Sequence, residues 1–292
     1  MNFRDLEYLA AVADCGHFGK AAQRCHVSQS ALSLQLQKLE RELGVQVFER
    51  TSRRVVITPA GIDLLVKVRE ILRARQELIE DAKQGAGGLP KVVRIGLIPT
   101  IAPYVLAPLL EAFQKGHPET EVRVVEDLTS ALVGELSAGH LDAAVLATPV
   151  PDSLLEEVSL REERLLLAVP KRHRLARRSV VGPQDIATER LLMLRDGHCL
   201  RGQIVDFCTA SGVDIRSASS SVAASIQTLC ALVRAGSGVT LVPEMAVDAG
   251  MSAGLTLLTV EPSPKRKIRA VFRKTSRIRH PLAAVFRCLV ET

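Results

Sequence analysis

The run FGKAAQRCHVSQSALSLQLQKLEREL, residues 18–43, decides the fold of the first part of the chain. Leu32, Leu36, Leu39 and Leu43 recur every three or four positions, the spacing of one helical face. Gln29, Ser30, Ser33, Gln37 and Arg41 mostly fall on the other faces. Ser28 is a suitable N-cap for this helix, and His26 and Val27 break it from a shorter helix over Phe18–Arg24. Upstream, Leu6, Leu9, Ala10 and Ala13 predict a helix over Asp5–Ala13. Downstream, strands over Val45–Phe48 and Val55–Thr58 flank a basic tip, ERTSRR, residues 49–54.

Three helices and a basic hairpin make a winged helix-turn-helix over residues 1–58. Such a helix fits the major groove, and its short amides and hydroxyls reach base edges. Guanidinium groups on a wing suit phosphates or the minor groove. The bare pattern also fits a small protein-binding domain with a solvated polar face.

Thr58 and Pro59 then cap and open a long helix over residues 59–88. Its apolar stripe (Leu65, Val68, Leu72, Ile79, Ala82) calls for a partner surface, most simply a second copy. The run GAGGLP, residues 85–90, closes it and marks a domain boundary.

Residues 89–292 alternate strand and helix, as in an open α/β domain of two subdomains with a cleft at the strand C-termini. Strands are predicted over Val92–Ile98, Glu121–Glu126, Leu141–Ala147, Leu165–Val169, Leu191–Leu194, Val239–Val242 and Ile268–Phe272. Helices are predicted over Pro103–Lys115, Ala131–Ala138, Cys199–Ala210, Ser225–Ala235 and Pro281–Leu289. No dinucleotide fingerprint, P-loop, nucleophile elbow or HExxH pattern appears, so the cleft reads as a sensor.

Composition narrows the classes. The 292 residues are 47% hydrophobic and 24% charged, which excludes a mainly disordered chain. Phe 7, Tyr 2 and Trp 0 leave few rings for stacking on unpaired bases. The net charge of +6 permits a polyanionic partner without locating it. The charged N-terminus and the absence of a long apolar run predict a cytoplasmic chain without a membrane anchor. Six cysteines (Cys15, Cys25, Cys199, Cys208, Cys230, Cys288) are too sparse for a secreted disulfide framework, and no spacing suggests a metal. His17 and His26 stand beside Cys15 and Cys25, but not at ligand spacing. The basic residues from Lys265 to Arg279 read as a solvated strand and loop, to which the resemblance given below makes Arg266 the one inward exception.

The whole chain resembles the LysR-type transcriptional regulators. The likeness rests on Phe18 to Ala22 (FGKAA), Val27 to Ser33 (VSQSALS), Leu39 and Glu40, and Thr58 to Gly61 (TPAG). Within the family, LLMLRDGHCLR (residues 191–201), GLIPT (residues 96–100) and Cys208 resemble its peroxide-sensing members.

The resemblance implies a winged helix-turn-helix, a linker helix that dimerises, and a two-lobed, periplasmic-binding-protein-like α/β effector domain. It implies that peroxide oxidises Cys199 and that Cys208 resolves the product into a reversible disulfide. Thr100, Thr129, His198 and Arg266 would line the reactive pocket, with no metal or cofactor. Phe18, Gln29, Ser30, Ser33, Gln37, Arg50 and Arg53 would serve DNA binding. The implied protein is a cytoplasmic activator of oxidative-stress genes, a homotetramer (dimer of dimers) on promoter half-sites of double-stranded DNA. RNA polymerase and thiol reductants would be its other partners. Its rivals are a regulator answering a small metabolite in the cleft, and a thiol peroxidase or oxidoreductase. At Gly202 this chain departs from relatives that carry an acid there.

Spacing adds a mechanism. Residues nine apart on a helix lie about 180° around and about 13.5 Å along it, whereas a disulfide tolerates Cα atoms no more than about 7 Å apart. Oxidation therefore has to refold the segment 199–208. Gly202 lowers that cost by up to about 1 kcal/mol relative to Ala.

Overall fold

The computed structural model describes residues 1–50, 55–84, 88–213, 222–251, 253–287 and 289. Of the expected wing contacts, Arg53 lies outside the described residues, as does the side chain of Arg50. The chain forms two compact units, Met1–Gly88 and Leu89–Thr292.

In the first unit, α1 (Phe3–Cys15), α2 (Phe18–Arg24) and α3 (Gln29–Leu43) pack around Leu9, Val12, Leu32, Leu36 and Leu39. Each helix starts on a side-chain cap. Asn2 and Asp5 bond reciprocally to each other's backbone N–H, His17 Nδ1 accepts from the Gly19 N–H at 2.9 Å, and Ser28 Oγ accepts from the Ala31 N–H at 3.2 Å. Strands β1 (Phe48–Arg50) and β2 (Val55–Ile57) pair antiparallel. Glu40 of α3 holds this hairpin through the N–H groups of Val47 (2.8 Å) and Phe48 (3.1 Å).

Helix α4 (Pro59–Gln84) follows, with Thr58 Oγ1 accepting from the Gly61 N–H at 2.9 Å. A Cβ on Gly61 would come within 2.5 Å of the Val47 carbonyl oxygen, so only glycine lets α4 meet the chain before β1. The first part of the predicted stripe of α4 faces inward: Leu65 and Val68 belong to the unit's own core and Leu72 packs against it. The exposed apolar residues of α4 are instead Ile62, Ile71 and Leu78.

The second unit contains β3 (Val92–Leu97), α5 (Ala102–Gly116), β4 (Glu121–Glu126), α6 (Thr129–Ser137), β5 (Ala143–Leu146) and β6 (Leu155–Pro170). Then come β7 (Val180–Val181), α7 (Pro183–Ala187), β8 (Met193–Leu194), α8 (Cys199–Ala210), β9 (Val222–Ala223) and α9 (Ile226–Arg234). It ends with β10 (Thr240–Pro243), α10 (Glu244–Ala246), β11 (Leu255–Val260), β12 (Lys265–Arg273) and α11 (Arg279–Arg287). The main sheet runs β4-β3-β5-β12-β6-β11-β7, with β10 also on β6; β8 and β9 form a separate parallel pair.

Two hydrophobic cores define two lobes, and β6 belongs to both. Its first part sends Leu155 and Leu160 into one core, and its second part sends Leu165, Leu167, Ala168 and Val169 into the other. Sequence periodicity finds only this second part. The first part alternates with glutamates that pair across to β12, among them Glu157 with Arg269 at 3.0 Å and Glu162 with Lys265 at 3.0 Å. Strand β11 was also not predicted.

The basic run corrects an expectation. Arg266 does turn inward, but so does Arg273, which is 3% exposed and donates to the carbonyl oxygens of Leu136 and Leu141. Arginine at a sheet's inner face is stable where backbone acceptors meet it.

Candidate functional site

Cys199 is the first residue of α8, with His198 as its extended N-cap residue. The preceding turn is shaped by Gly197, whose φ of 92° lies in the left-handed region. A Cβ there would also meet the Leu128 side chain at 2.8 Å, so glycine lets this turn close against the start of α6. That approach brings Cys199 to Thr129, the first residue of α6.

Thr100, buried in the turn between β3 and α5, supplies a second hydroxyl to the Cys199 sulfur. Arg266 on β12 lies behind it: its Nη1 donates to Thr100 Oγ1 and its Nη2 to the Thr100 carbonyl, each at 3.1 Å. The Thr100 oxygen therefore accepts from Arg266, which leaves its hydroxyl proton free for the cysteine sulfur. Among the described residues Thr129 Oγ1 is buried with no formed hydrogen bond, and the approach of its hydroxyl to Cys199 favours the thiolate.

The structure thus brings together Thr100, Thr129, Cys199 and Arg266, whereas His198 is tied to them only as the residue that precedes Cys199. His198 is 5% exposed, and among the described residues its Nε2 has no hydrogen-bond partner. Burial, helped by the nearby Arg195, holds its pKa below the ordinary histidine value and so favours the neutral ring.

A cysteine at a helix N-terminus beside a cation is expected to be an activated thiolate. At Cys199 burial outweighs that expectation: desolvation pushes the thiol up despite Arg266, both threonine hydroxyls and the Leu200 N–H. Asp196, three residues before Cys199, is solvent-exposed and paired with Arg201 at 2.7 Å.

Cys208 lies on the same helix and is fully buried, with its thiol also pushed up by desolvation. Both cysteines are free thiols. They serve different cores: Cys199 packs against the first lobe's and Cys208 belongs to the second's. Gln203, one turn after Cys199, donates to the Ala147 carbonyl at 2.7 Å and ties α8 to the first lobe. Sequence reasoning missed Gln203, although its place four residues after Cys199 puts it on the same helical face.

In the first unit, Gln29, Ser30 and Gln37 are exposed on α3 and Ser33 is half-buried. Phe18 packs edge-on against Phe48, with ring centroids 6.0 Å apart, so it supports the hairpin from within.

Two family models match the chain: "Bacterial regulatory helix-turn-helix protein, lysR family" over residues 3–62 and "LysR substrate binding domain" over residues 86–292. The chain is 42% identical to the "DNA-binding transcriptional dual regulator OxyR" of Escherichia coli K12, over 96% of this chain and 92% of that one. It is equally close, with the same coverage, to the "Hydrogen peroxide-inducible genes activator" of Dickeya chrysanthemi. Full-length OxyR from Pseudomonas aeruginosa superposes with a TM-score of 0.80 at 27% identity, covering 99% of this chain and 98% of that one.

Proposed function

The chain belongs to the LysR family of bacterial transcription regulators, and from that premise we propose that it senses hydrogen peroxide through Cys199 and answers by changing its hold on promoter DNA. The observation that carries this is the set Cys199, Thr100, Thr129 and Arg266, with a second free thiol nine residues on along the same helix. The curated relatives, named for peroxide induction, point the same way.

Each step balances. The Cys199 thiolate attacks one peroxide oxygen; an S–O bond forms, the O–O bond breaks, and the hydroxide released takes up the thiol's proton to leave as water. Cys208 sulfur then attacks the sulfenic sulfur; an S–S bond forms, the S–OH bond breaks, and a second water leaves. The two thiols lose two electrons and peroxide gains them. Because burial keeps the resting thiol largely protonated, the donors around it act when charge develops on sulfur and on the leaving oxygen.

Helix α8 cannot hold that disulfide, since its ends lie too far apart for the bond. Closing it requires unwinding α8 and giving up the Gln203 contact to the first lobe, so one covalent event selects a second packing.

For DNA, Gln29, Ser30, Ser33 and Gln37 are our base-edge candidates and Arg50 and Arg53 our phosphate or minor-groove candidates. The exposed Ile71 and Leu78, seven residues apart on one face of α4, support a dimer along that helix, on which a tetramer on paired half-sites, contact with RNA polymerase and a cytoplasmic location are further proposals. Among the described residues no helix is long and apolar enough to cross a membrane.

Thiol-trapping mass spectrometry before and after one equivalent of hydrogen peroxide, with DNA footprinting on the same samples, tests the reading. We expect a Cys199–Cys208 linkage and a changed footprint. Intact thiols with DNA binding retained would favour a metabolite in the cleft instead.

A further inference from the structure

Behind the site lies a carboxylate to which the mechanism above gives no work. Glu163 on β6 and Arg266 on β12 have side chains wholly shielded from solvent. Glu163 Oε1 accepts from Arg266 Nε at 2.6 Å, and its Oε2 accepts from the Met245 N–H at 3.0 Å. Both oxygens are thus engaged by donors, one of them the only ion-pair partner found for Arg266 among the described residues. The chain of contacts continues from Arg266 to Thr100 and from Thr100 to Cys199.

We propose that Glu163 is a positioning residue for the sensing thiol: it clamps the Arg266 guanidinium against Thr100 and balances its charge, so that the cation acts on Cys199 mainly through the Thr100 hydroxyl. The inference rests on Cys199 being the sensing thiol. An unbalanced guanidinium in this dry site would recruit the nearest acid, and Cys199 is one of the two that face it. The other is Tyr104, whose phenol feels Arg266 and Glu163 with opposite signs, as a counter-ion arrangement requires; burial pushes it up to about 12. His198, next to Cys199 in the chain, is kept toward its neutral form, and Cys230 is the further titratable group that acts on Tyr104. A buried ion pair that merely held β6 to β12 would leave thiol reactivity untouched.

The test is the pH profile of Cys199 alkylation by iodoacetamide, followed by mass spectrometry on the full-length reduced protein. E163Q keeps the shape and removes the charge, and we expect the midpoint to fall by about one pH unit. E163D keeps the charge and should stay closer to the unmodified protein. A midpoint that is unchanged or raised in E163Q overturns the proposal. Should E163Q fail to fold, R266Q and the double variant E163Q/R266Q decide together: the midpoint must be higher in R266Q, which alone keeps the Glu163 charge, and equal midpoints overturn the proposal. Peroxide treatment of the unmodified protein separates the two readings, because failure of Cys199 to oxidise removes the sensor role while the alkylation midpoint still reports on Glu163.

Discussion

Two thiols on one helix divide the work by environment. Cys199 is met by Thr100, Thr129 and Arg266, whereas only burial acts on Cys208. Substituting each therefore gives different products. With C208S, peroxide should leave Cys199 as a sulfenic acid that dimedone traps. With C199S, neither trapped sulfenate nor a changed DNA footprint should form. The threonines act at the developing thiolate, so T100V should slow peroxide oxidation of Cys199 by about tenfold or more in stopped-flow measurements, the scale of losing one charge-directed hydrogen bond. Cys199 and Cys208 were legible as residues because their spacing and the surrounding LLMLRDGHCLR motif are local. The balance of burial against cation at Cys199 was not legible, because it depends on what closes over the sulfur.

At the scale of elements, the proposed mechanism makes α8 both a scaffold and the part that gives way. Gly202 has a helical place, open space around it and no need for glycine's freedom, so a methyl group fits there. G202A should stabilise the helix by about 0.5–1 kcal/mol and shift the dithiol–disulfide equilibrium about two- to fivefold toward the reduced form. A redox titration against dithiothreitol reads this directly. In the first unit, the His17 cap sets the start of α2, and Gln29 Oε1 approaches the same turn at Gly19. H17A should cost about 1 kcal/mol in denaturant unfolding and weaken duplex binding by disturbing α3. The helices were readable at this scale because caps and apolar stripes are short-range signals. The charged first part of β6 was not, since its glutamates become strand residues only when the cations of β12 pair with them.

Across the whole molecule, the second unit stores several acids and one base in their neutral forms, and pH should reveal it. Burial raises Cys199, Cys208 and Cys230 and lowers His198. For the thiols, the native state holds protons more tightly than the unfolded chain. Their contribution is complete below the ordinary thiol pKa and is lost as pH rises through the raised folded values. For His198 the contribution is complete above the ordinary histidine pKa and is lost as pH falls through its depressed value. Unfolding of the reduced protein followed from pH 5 to pH 11 should therefore give a stability plateau between these limits, roughly pH 7 to 8.5. Replacing Cys230, which is not among the groups acting on the Cys199 thiol, by alanine should flatten the alkaline limb. A limb unchanged by C230A would remove that thiol from the account.

By itself the sequence determined the winged helix-turn-helix, the long α4, the α/β texture of the second unit and the two cysteines of α8. These are written in repeats, caps and motifs spanning a few residues, where local conformational preference and one buried face are enough. Only the tertiary structure decided that Arg273 points inward as Arg266 does, that α4 turns Leu65 and Val68 into its own unit, and that Glu163 stands behind Arg266. Glu163 and Arg266 are 103 residues apart and look like ordinary surface charges in the chain. They became a buried pair because pairing β6 with β12 takes both side chains out of water together, and each then stabilises a charge that neither could keep there alone.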